Sequence, residues 1–340
     1  MMPPKPGAAM PPADYAILQE AAEWFAVLRG EDADPADQQA WERWHASSPA
    51  HRAAWRRVEA VSAEFRQLPG EPARQALDAA GPRQSDAARR SLVKGLLALC
   101  LTAGTGGAAL LRRDTRSWVA SLHAGEKTPV GAIRQLALAD GSQLWLNTAT
   151  SLDIDYSDTL RRIALHGGEI YLASARDSRQ PARALVVDTV HGRLRALGTR
   201  FSVQPQGDAT LLAVYEGSVE VAPRDGGVPR IVPAGQQVRF GDGFIGEPYA
   251  ADPNGAAWIE YRLQPEQMRL DDFLAQLSRY RRGHLGCAPD VAHLRLVGSY
   301  PLADTDRILA ALEATLPVRI NRVHDWWVTV EAQLPSQNSK

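Results

Sequence analysis

The side chains that could do chemistry are few and scattered. None of the eight histidines forms a pair at i, i+4 spacing, the arrangement that presents two imidazoles to one metal ion from a helix. The two cysteines, Cys100 and Cys287, stand far apart, so neither a disulfide framework nor a cysteine-based metal site is implied. No G-x-S-x-G, H-E-x-x-H, Walker or G-x-G-x-x-G pattern occurs. Gly104-Thr105-Gly106-Gly107 is glycine-rich, but it sits inside an apolar run and cannot cradle phosphate. No cofactor, no metal and no conventional enzyme activity are therefore expected. Recognition chemistry is better represented. Four of the nine tryptophans, Trp24, Trp41, Trp44 and Trp55, fall within residues 14–68. A bundle that small cannot enclose four indoles, and a surplus at the surface suits a protein interface.

Three helices must position those tryptophans. Leu18, Ala21, Ala22, Phe25 and Leu28 form an i, i+3, i+4, i+7 stripe on the first. Asp34-Pro35-Ala36-Asp37 and then Ser48-Pro49 each supply a capping side chain followed by proline at the first helical position, opening the second and third. The bundle has ten Asp and Glu against six Arg, a net charge of −4 that disfavours DNA and favours a basic partner. The whole chain of 340 residues carries a net charge of −1, so no direct contact with nucleic acid is expected.

Around the bundle, residues 1–13 read as a disordered tail without the apolar segment of a secretory signal, and residues 69–88 have linker composition. The apolar run follows. Gly95 to Leu111 gives 17 uncharged residues, including six Leu, four Ala and four Gly. As a helix they reach roughly 26 Å, close to a hydrocarbon core of roughly 30 Å. Four glycines in a buried soluble helix with no polar face would be costly, so residues 89–111 are expected to cross a membrane. Three basic residues on each side (Arg89, Arg90, Lys94 and Arg112, Arg113, Arg116) leave charge counting undecided on orientation. Arg89-Arg90-Ser91-Leu92-Val93-Lys94 is similar to a twin-arginine export signal, which places the following residues outside the cytoplasm.

Past the run the texture changes. Residues 118–245 show short alternating segments punctuated by turns, such as Ala139-Asp140-Gly141-Ser142 and His166-Gly167-Gly168. They predict an all-β domain, either a sandwich or a solenoid-like roll. Residues 256–332 return to helical period, with Leu270, Phe273, Leu274, Leu277 and Tyr280 on one face and Ile308, Leu309, Leu312 and Leu316 on another. Asp304 or Thr305 is placed to cap the second helix, and Leu294–Tyr300, Val318–Asn321 and Trp326–Val330 read as strands. The fold class is thus multi-domain: a small all-α bundle, one transmembrane helix, an all-β domain, an α+β module and a tail at 333–340.

Several motifs in fixed order carry a family resemblance. Ala22-Glu23-Trp24, the Trp41-to-Trp44 spacing and Ser48-Pro49-Ala50-His51-Arg52-Ala53-Ala54-Trp55 stand in the bundle. Asp140-Gly141-Ser142, Leu146-Asn147, Gly168-Glu169, Leu197-Gly198-Thr199-Arg200-Phe201 and Glu216-Gly217-Ser218-Val219 follow in the β domain. The chain resembles the FecR-like anti-sigma regulators of bacterial cell-surface signalling over nearly its whole length. Its last module resembles the short STN-type module found at secretin and TonB-receptor N-termini.

The resemblance implies a single-pass inner-membrane protein with a cytoplasmic N-terminus and a periplasmic C-terminus. Its bundle would bind an extracytoplasmic-function sigma factor, with Trp24, Trp41, Trp44 and Trp55 as the candidate contacts. Its periplasmic part would receive the signalling domain of a TonB-dependent outer-membrane receptor. Periplasmic and intramembrane proteases would then free the sigma factor to switch on iron-chelate uptake genes. Some family members also cut themselves at a Gly-Thr bond, the threonine hydroxyl attacking the preceding carbonyl in an N-to-O acyl shift. The matching bond is Gly198-Thr199, for which a plain bend between strands is the other reading. The alternative function is a membrane-anchored periplasmic binding or assembly protein that does not act on a sigma factor.

Overall fold

The computed structural model describes residues 12–28, 35–66, 124–324 and 326–333. Arg89, Arg90, the linker and the apolar run at 89–111 lie outside the described residues. Among those described, no helix is long and apolar enough to cross a membrane.

The N-terminal helices are α1 (Pro12–Val27), α2 (Pro35–Ala46) and α3 (Pro49–Arg66). Ser48 opens α3 as its composition suggests, its Oγ accepting from the backbone N–H of Ala50 at 3.2 Å and of His51 at 3.4 Å. Leu18, Ala21, Ala22 and Phe25 of α1 pack on Ala54, Trp55 and Val58 of α3. Small alanines let α1 and α3 approach closely, so α2 has only the outer side left to cover.

The β domain begins with β1 (Glu126–Lys127), β2 (Arg134–Ala137), β3 (Gln143–Leu146), β4 (Ser151–Tyr156) and β5 (Leu160–Gly167). It continues through β6 (Ile170–Ala173), β7 (Ala184–Thr189), β8 (Gly192–Ala196), β9 (Arg200–Gln206) and β10 (Ala209–Glu216). The last strands are β11 (Ser218–Pro223), β12 (Arg230–Pro233), β13 (Gln236–Gly241), β14 (Phe244–Ile245) and β15 (Tyr249–Ala250). They form two layers. One has the order β1-β4-β5-β7-β8-β11-β12, and the other β14-β13-β10-β9-β6-β3-β2 with β15 on β13. Large apolar side chains from both layers, among them Leu152, Ile163 and Leu194 facing Leu146, Leu172 and Phe201, build one core. The domain is therefore a sandwich by packing, yet the chain is wound through it like a roll. It changes layer after every one to three strands, so β6 and β9, neighbours in space, flank two strands of the opposite layer in sequence.

The C-terminal unit holds β16 (Arg262–Leu263), β17 (Met268–Arg269), α4 (Leu270–Ser278), β18 (His284–Cys287) and β19 (Arg295–Leu296). Then come β20 (Tyr300–Pro301), α5 (Thr305–Thr315), β21 (Val318–His324) and β22 (Trp327–Ala332). The three-stranded sheet runs β18-β22-β21, with β18 parallel to β22. Both expected helical faces are buried except at Leu316, which follows α5 and is partly buried. Asp304 is the cap, its carboxylate accepting from the N–H of Asp306 and Arg307 at 3.0 Å. Leu294–Tyr300 is not one strand. Its two ends pair with different partners, β19 with β17 and β20 with β16, so the chain must break between them. The unit's core also takes in Ile133 and Tyr171 of the β domain, so the two share packing rather than meeting at a polar seam.

The bundle packs onto this unit through aromatic rings. Phe25 meets Trp326 edge-on at 5.4 Å, and Trp327, 1% exposed, joins the bundle's core. His284 stacks on Trp327 at 4.0 Å. Burial pushes the His284 imidazole down to about 4, with Arg57 of α3 a lesser contributor. An unfolded chain takes up that proton near pH 6.5, so stability is full above about 6.5 and falls by about 2–3 kcal/mol as pH drops toward 4. Melting curves at pH 7 and 4.5 should show this loss, and His284→Phe should remove it.

Candidate functional site

The motifs that carry the resemblance converge on a few buried contacts. Asn147 follows β3 and Glu169 precedes β6, which places both at one end of the second layer. The Glu169 carboxylate, 7% exposed, accepts from Asn147 Nδ2 at 2.9 Å and from Trp258 Nε1 at 3.0 Å. Arg279, at the end of α4, pairs with it at 2.7 Å. The hydroxyl of Thr148 donates to the Arg279 carbonyl at 2.9 Å. One carboxylate thus ties the β domain to the C-terminal unit at two points. A cleft of about 940 Å³ opens beside this joint, lined by Ser202, Tyr215 and Gln237 of the sheet and by Gln276, Arg279 and Tyr280 across from it. Burial raises the Tyr215 phenol to about 12, so it remains a neutral hydrogen-bonding group at any physiological pH.

The Asp140-Gly141-Ser142 motif makes a second lock. Arg161, buried, pairs with the Asp140 carboxylate at 2.5 Å, and Tyr156 donates to it at 3.3 Å. Burial works against that charge, but hydrogen bonds from Ser142 and then from Arg161 prevail and hold the carboxyl below its usual range. Ser142 Oγ also accepts from the N–H of Ala175 at 2.9 Å, and Arg161 donates to the Ala175 carbonyl at 3.2 Å. The motif therefore pins the backbone that follows β6.

Gly198 and Thr199 lie beside that pinned segment, in the link from β8 of one layer to β9 of the other. Gly198 has φ +82°, the left-handed region where a side chain would be strained. Its carbonyl sits so close to Gly217 that a Cβ there would lie 2.1 Å from the oxygen. This close approach explains the glycine of Glu216-Gly217. Thr199 is 4% exposed, and its Oγ1 is buried with no hydrogen-bond partner among the described residues. Its backbone N–H donates instead to Ser174 Oγ at 2.7 Å, and its carbonyl accepts from the Ser174 N–H at 2.9 Å and from Ser174 Oγ at 3.1 Å. The Thr199 hydroxyl is thus a buried polar group that no hydrogen bond holds, next to an exposed glycine.

Of the four tryptophans in the bundle, Trp55 is 9% exposed and is the packing hub, 5.7 Å from Phe25 and 4.9 Å from Trp41. Trp24, Trp41 and Trp44 are only half-buried. Trp44 donates to Glu20 at 2.7 Å, joining α2 to α1, and Trp41 stacks on His45 at 5.0 Å. The partners Trp258, Arg279 and Ser174 escape sequence reasoning. The first two lie about a hundred residues from the glutamate they bind, and the serine matters only through its register opposite Thr199. Among the described residues no cluster of His, Cys, Asp and Glu could hold a metal ion.

Comparison with known proteins agrees with the motif positions. Residues 125–220 match the family model described as FecR protein, and residues 19–61 match a domain of unknown function, DUF4880. No curated protein matches the chain. Two crystal structures from Parabacteroides distasonis ATCC 8503, at 2.50 and 1.65 Å resolution, are of a protein proposed to be an anti-sigma factor. Each is 18% identical with a TM-score of 0.49, and the matches cover 61% and 60% of this chain and 97% of theirs.

Proposed function

From the premise that this chain carries a FecR domain at residues 125–220, joined to a DUF4880 bundle at 19–61, we propose that it is a single-pass inner-membrane anti-sigma factor. The observation that carries this reading is the order of parts: an acidic, tryptophan-rich bundle, then the 89–111 run, then a FecR-type sandwich whose motif residues reach into a further unit. The bundle holds an extracytoplasmic-function sigma factor in the cytoplasm, through the half-buried Trp24, Trp41 and Trp44 and an acidic surface that suits a DNA-binding partner. Trp55 supports that surface from inside. The periplasmic part receives the signalling domain of a TonB-dependent receptor, and regulated proteolysis then releases the sigma factor to iron-chelate uptake genes.

A chain spanning the membrane at 89–111 separates the bundle from the C-terminal unit, and the contact between Phe25 and Trp326 is not compatible with that separation. Arg89 and Arg90 serve as the export address. Self-cleavage at Gly198-Thr199 is a second reaction of the same molecule, supported by the unpartnered Thr199 hydroxyl and the positive φ of Gly198.

The test is co-purification of the full chain with each extracytoplasmic-function sigma factor of its own organism. One of them should bind, and Trp41→Ala should weaken binding at least about tenfold with helix content unchanged. Failure to bind any of them removes the anti-sigma reading and leaves a membrane-anchored binding or assembly protein.

A further inference from the structure

The hydroxyl of Ser174 stands where a main-chain carbonyl would normally be. The antiparallel ladder between β6 and β9 pairs Ala173 with Arg200. One step further, the Thr199 N–H finds not a backbone oxygen but Ser174 Oγ, at 2.7 Å. A carbonyl in that place could only accept a hydrogen bond. A hydroxyl can also give up a proton.

We propose that Ser174 is a catalytic residue for breaking the Gly198-Thr199 bond, acting on the nitrogen that departs. The inference rests on the self-cleavage reading and assigns the proton donor that such a reaction needs. Thr199 Oγ1 adds to the Gly198 carbonyl carbon, forming a C–O bond. The tetrahedral intermediate then collapses with loss of the C–N bond, and the nitrogen leaves with its electron pair. Amide nitrogen is a poor leaving group unless protonated as the bond breaks. Ser174 Oγ–H, which donates to the Thr199 carbonyl in the uncut chain, turns to the nitrogen once that atom becomes pyramidal and supplies the proton. It is reprotonated by the one released from Thr199 Oγ1, so the shift neither gains nor loses a proton. Water then hydrolyses the ester, leaving a carboxylate on Gly198 and a free amine and hydroxyl on Thr199. Gly198 is exposed, so water reaches the ester from that side.

Three further features fit this assignment. Ser174 is held in place from its far side, because Ser142 and Arg161 grip Ala175. It binds both backbone groups of Thr199, holding the Gly198-Thr199 peptide by its N–H and the next peptide by its carbonyl. The bare Cα of Gly217 lets the Gly198 carbonyl oxygen lie where a Cβ would collide with it, so the position of that oxygen depends on the glycine.

The experiment follows the purified full chain by mass spectrometry from pH 6 to 9, timing the appearance of fragments 1–198 and 199–340. The unaltered chain should cleave and Thr199→Ala should not. Ser174→Ala should slow cleavage by about 100-fold, with the remaining rate rising toward acid as hydronium replaces the lost donor. Ser174→Thr, which keeps a hydroxyl, should restore most of the rate. If Ser174→Ala cleaves as fast as the unaltered chain, the assignment is overturned while self-cleavage stands. Equal slowing by Ala and Thr, with the same pH profile as the unaltered chain, also overturns it and reduces Ser174 to packing. An unaltered chain that stays intact removes the self-cleavage reading itself, and the role of Ser174 with it.

Discussion

Glu169→Ala lowers the unfolding midpoint of the β domain and its C-terminal unit by about 10 °C, the largest single-residue effect expected in that part of the chain. The substitution removes one carboxylate and strands three donors: Asn147 Nδ2, Trp258 Nε1 and the Arg279 guanidinium. Breaking a buried charged contact from one side costs about 3–5 kcal/mol, because the remaining groups stay desolvated and unpaired. For a unit of this size each kcal/mol shifts the midpoint by about 2–4 °C. Glu169→Gln should recover part of the loss, since its carbonyl oxygen can still accept from Trp258 while its amide faces Arg279 badly. Hydrogen exchange should also show α4 opening separately from the sandwich. A melting point within about 2 °C of the parent would mean that this joint carries little of the coupling between the two units.

Trp55→Ala should abolish the bundle's fold and with it the sigma-factor binding proposed for the bundle, leaving the sandwich intact. Trp55 touches rings from every helix of the bundle: Phe25 of α1, Trp41, Trp44 and His45 of α2, and its own α3 carries it. Removing so large a buried ring costs about 3–5 kcal/mol, which is as much as the whole core of a domain this small supplies. Far-UV circular dichroism should lose the helical signal of α1 to α3, while the later melting transition persists, lowered by the loss of bundle packing on Trp326 and Trp327. Retention of both helicity and binding in this variant would show that the bundle is held by something other than its aromatic core. The contrast with Trp41→Ala, which keeps the helices but weakens the partner contact, separates folding from binding.

Much of the β domain was legible because its strands alternate strongly. Ten of the fifteen strands, β2 to β7, β9 to β11 and β13, carry an alternation that can be read from the sequence. The five others were hidden for identifiable reasons. β8 alternates in burial, but Leu194 is its only large apolar side chain, with Gly192 and Ala196 filling the other inward places. β1, β14 and β15 have two residues each, too few to show any period. β12 lies at an edge and buries only Val232. The winding between layers was not legible at all, because alternation reports which side of a strand is buried and not which sheet the strand has joined. The motifs were visible as residues but not as contacts. Glu169 needs Trp258, and Thr199 needs Ser174, and both pairings are products of the assembled fold. Capping chemistry gave the starts of α3 and α5 because Ser48 and Asp304 act on their immediate neighbours.

The position of Gly198 has a mechanical consequence. The bond leads from β8 in one layer to β9 in the other, yet the strands before it and after it are interleaved. β8 pairs with β11 and β6 with β9, so each layer contains a ladder whose two sides belong to different halves of the chain. Glu169 lies in one half, and Trp258 and Arg279 lie in the other. A molecule cut at Gly198-Thr199 therefore stays assembled, with hydrogen bonds and packing alone carrying any load between its ends. Tension that an unbroken backbone would resist indefinitely could then draw the halves apart. The cut would turn a permanent tether into a coupling with a breaking strength.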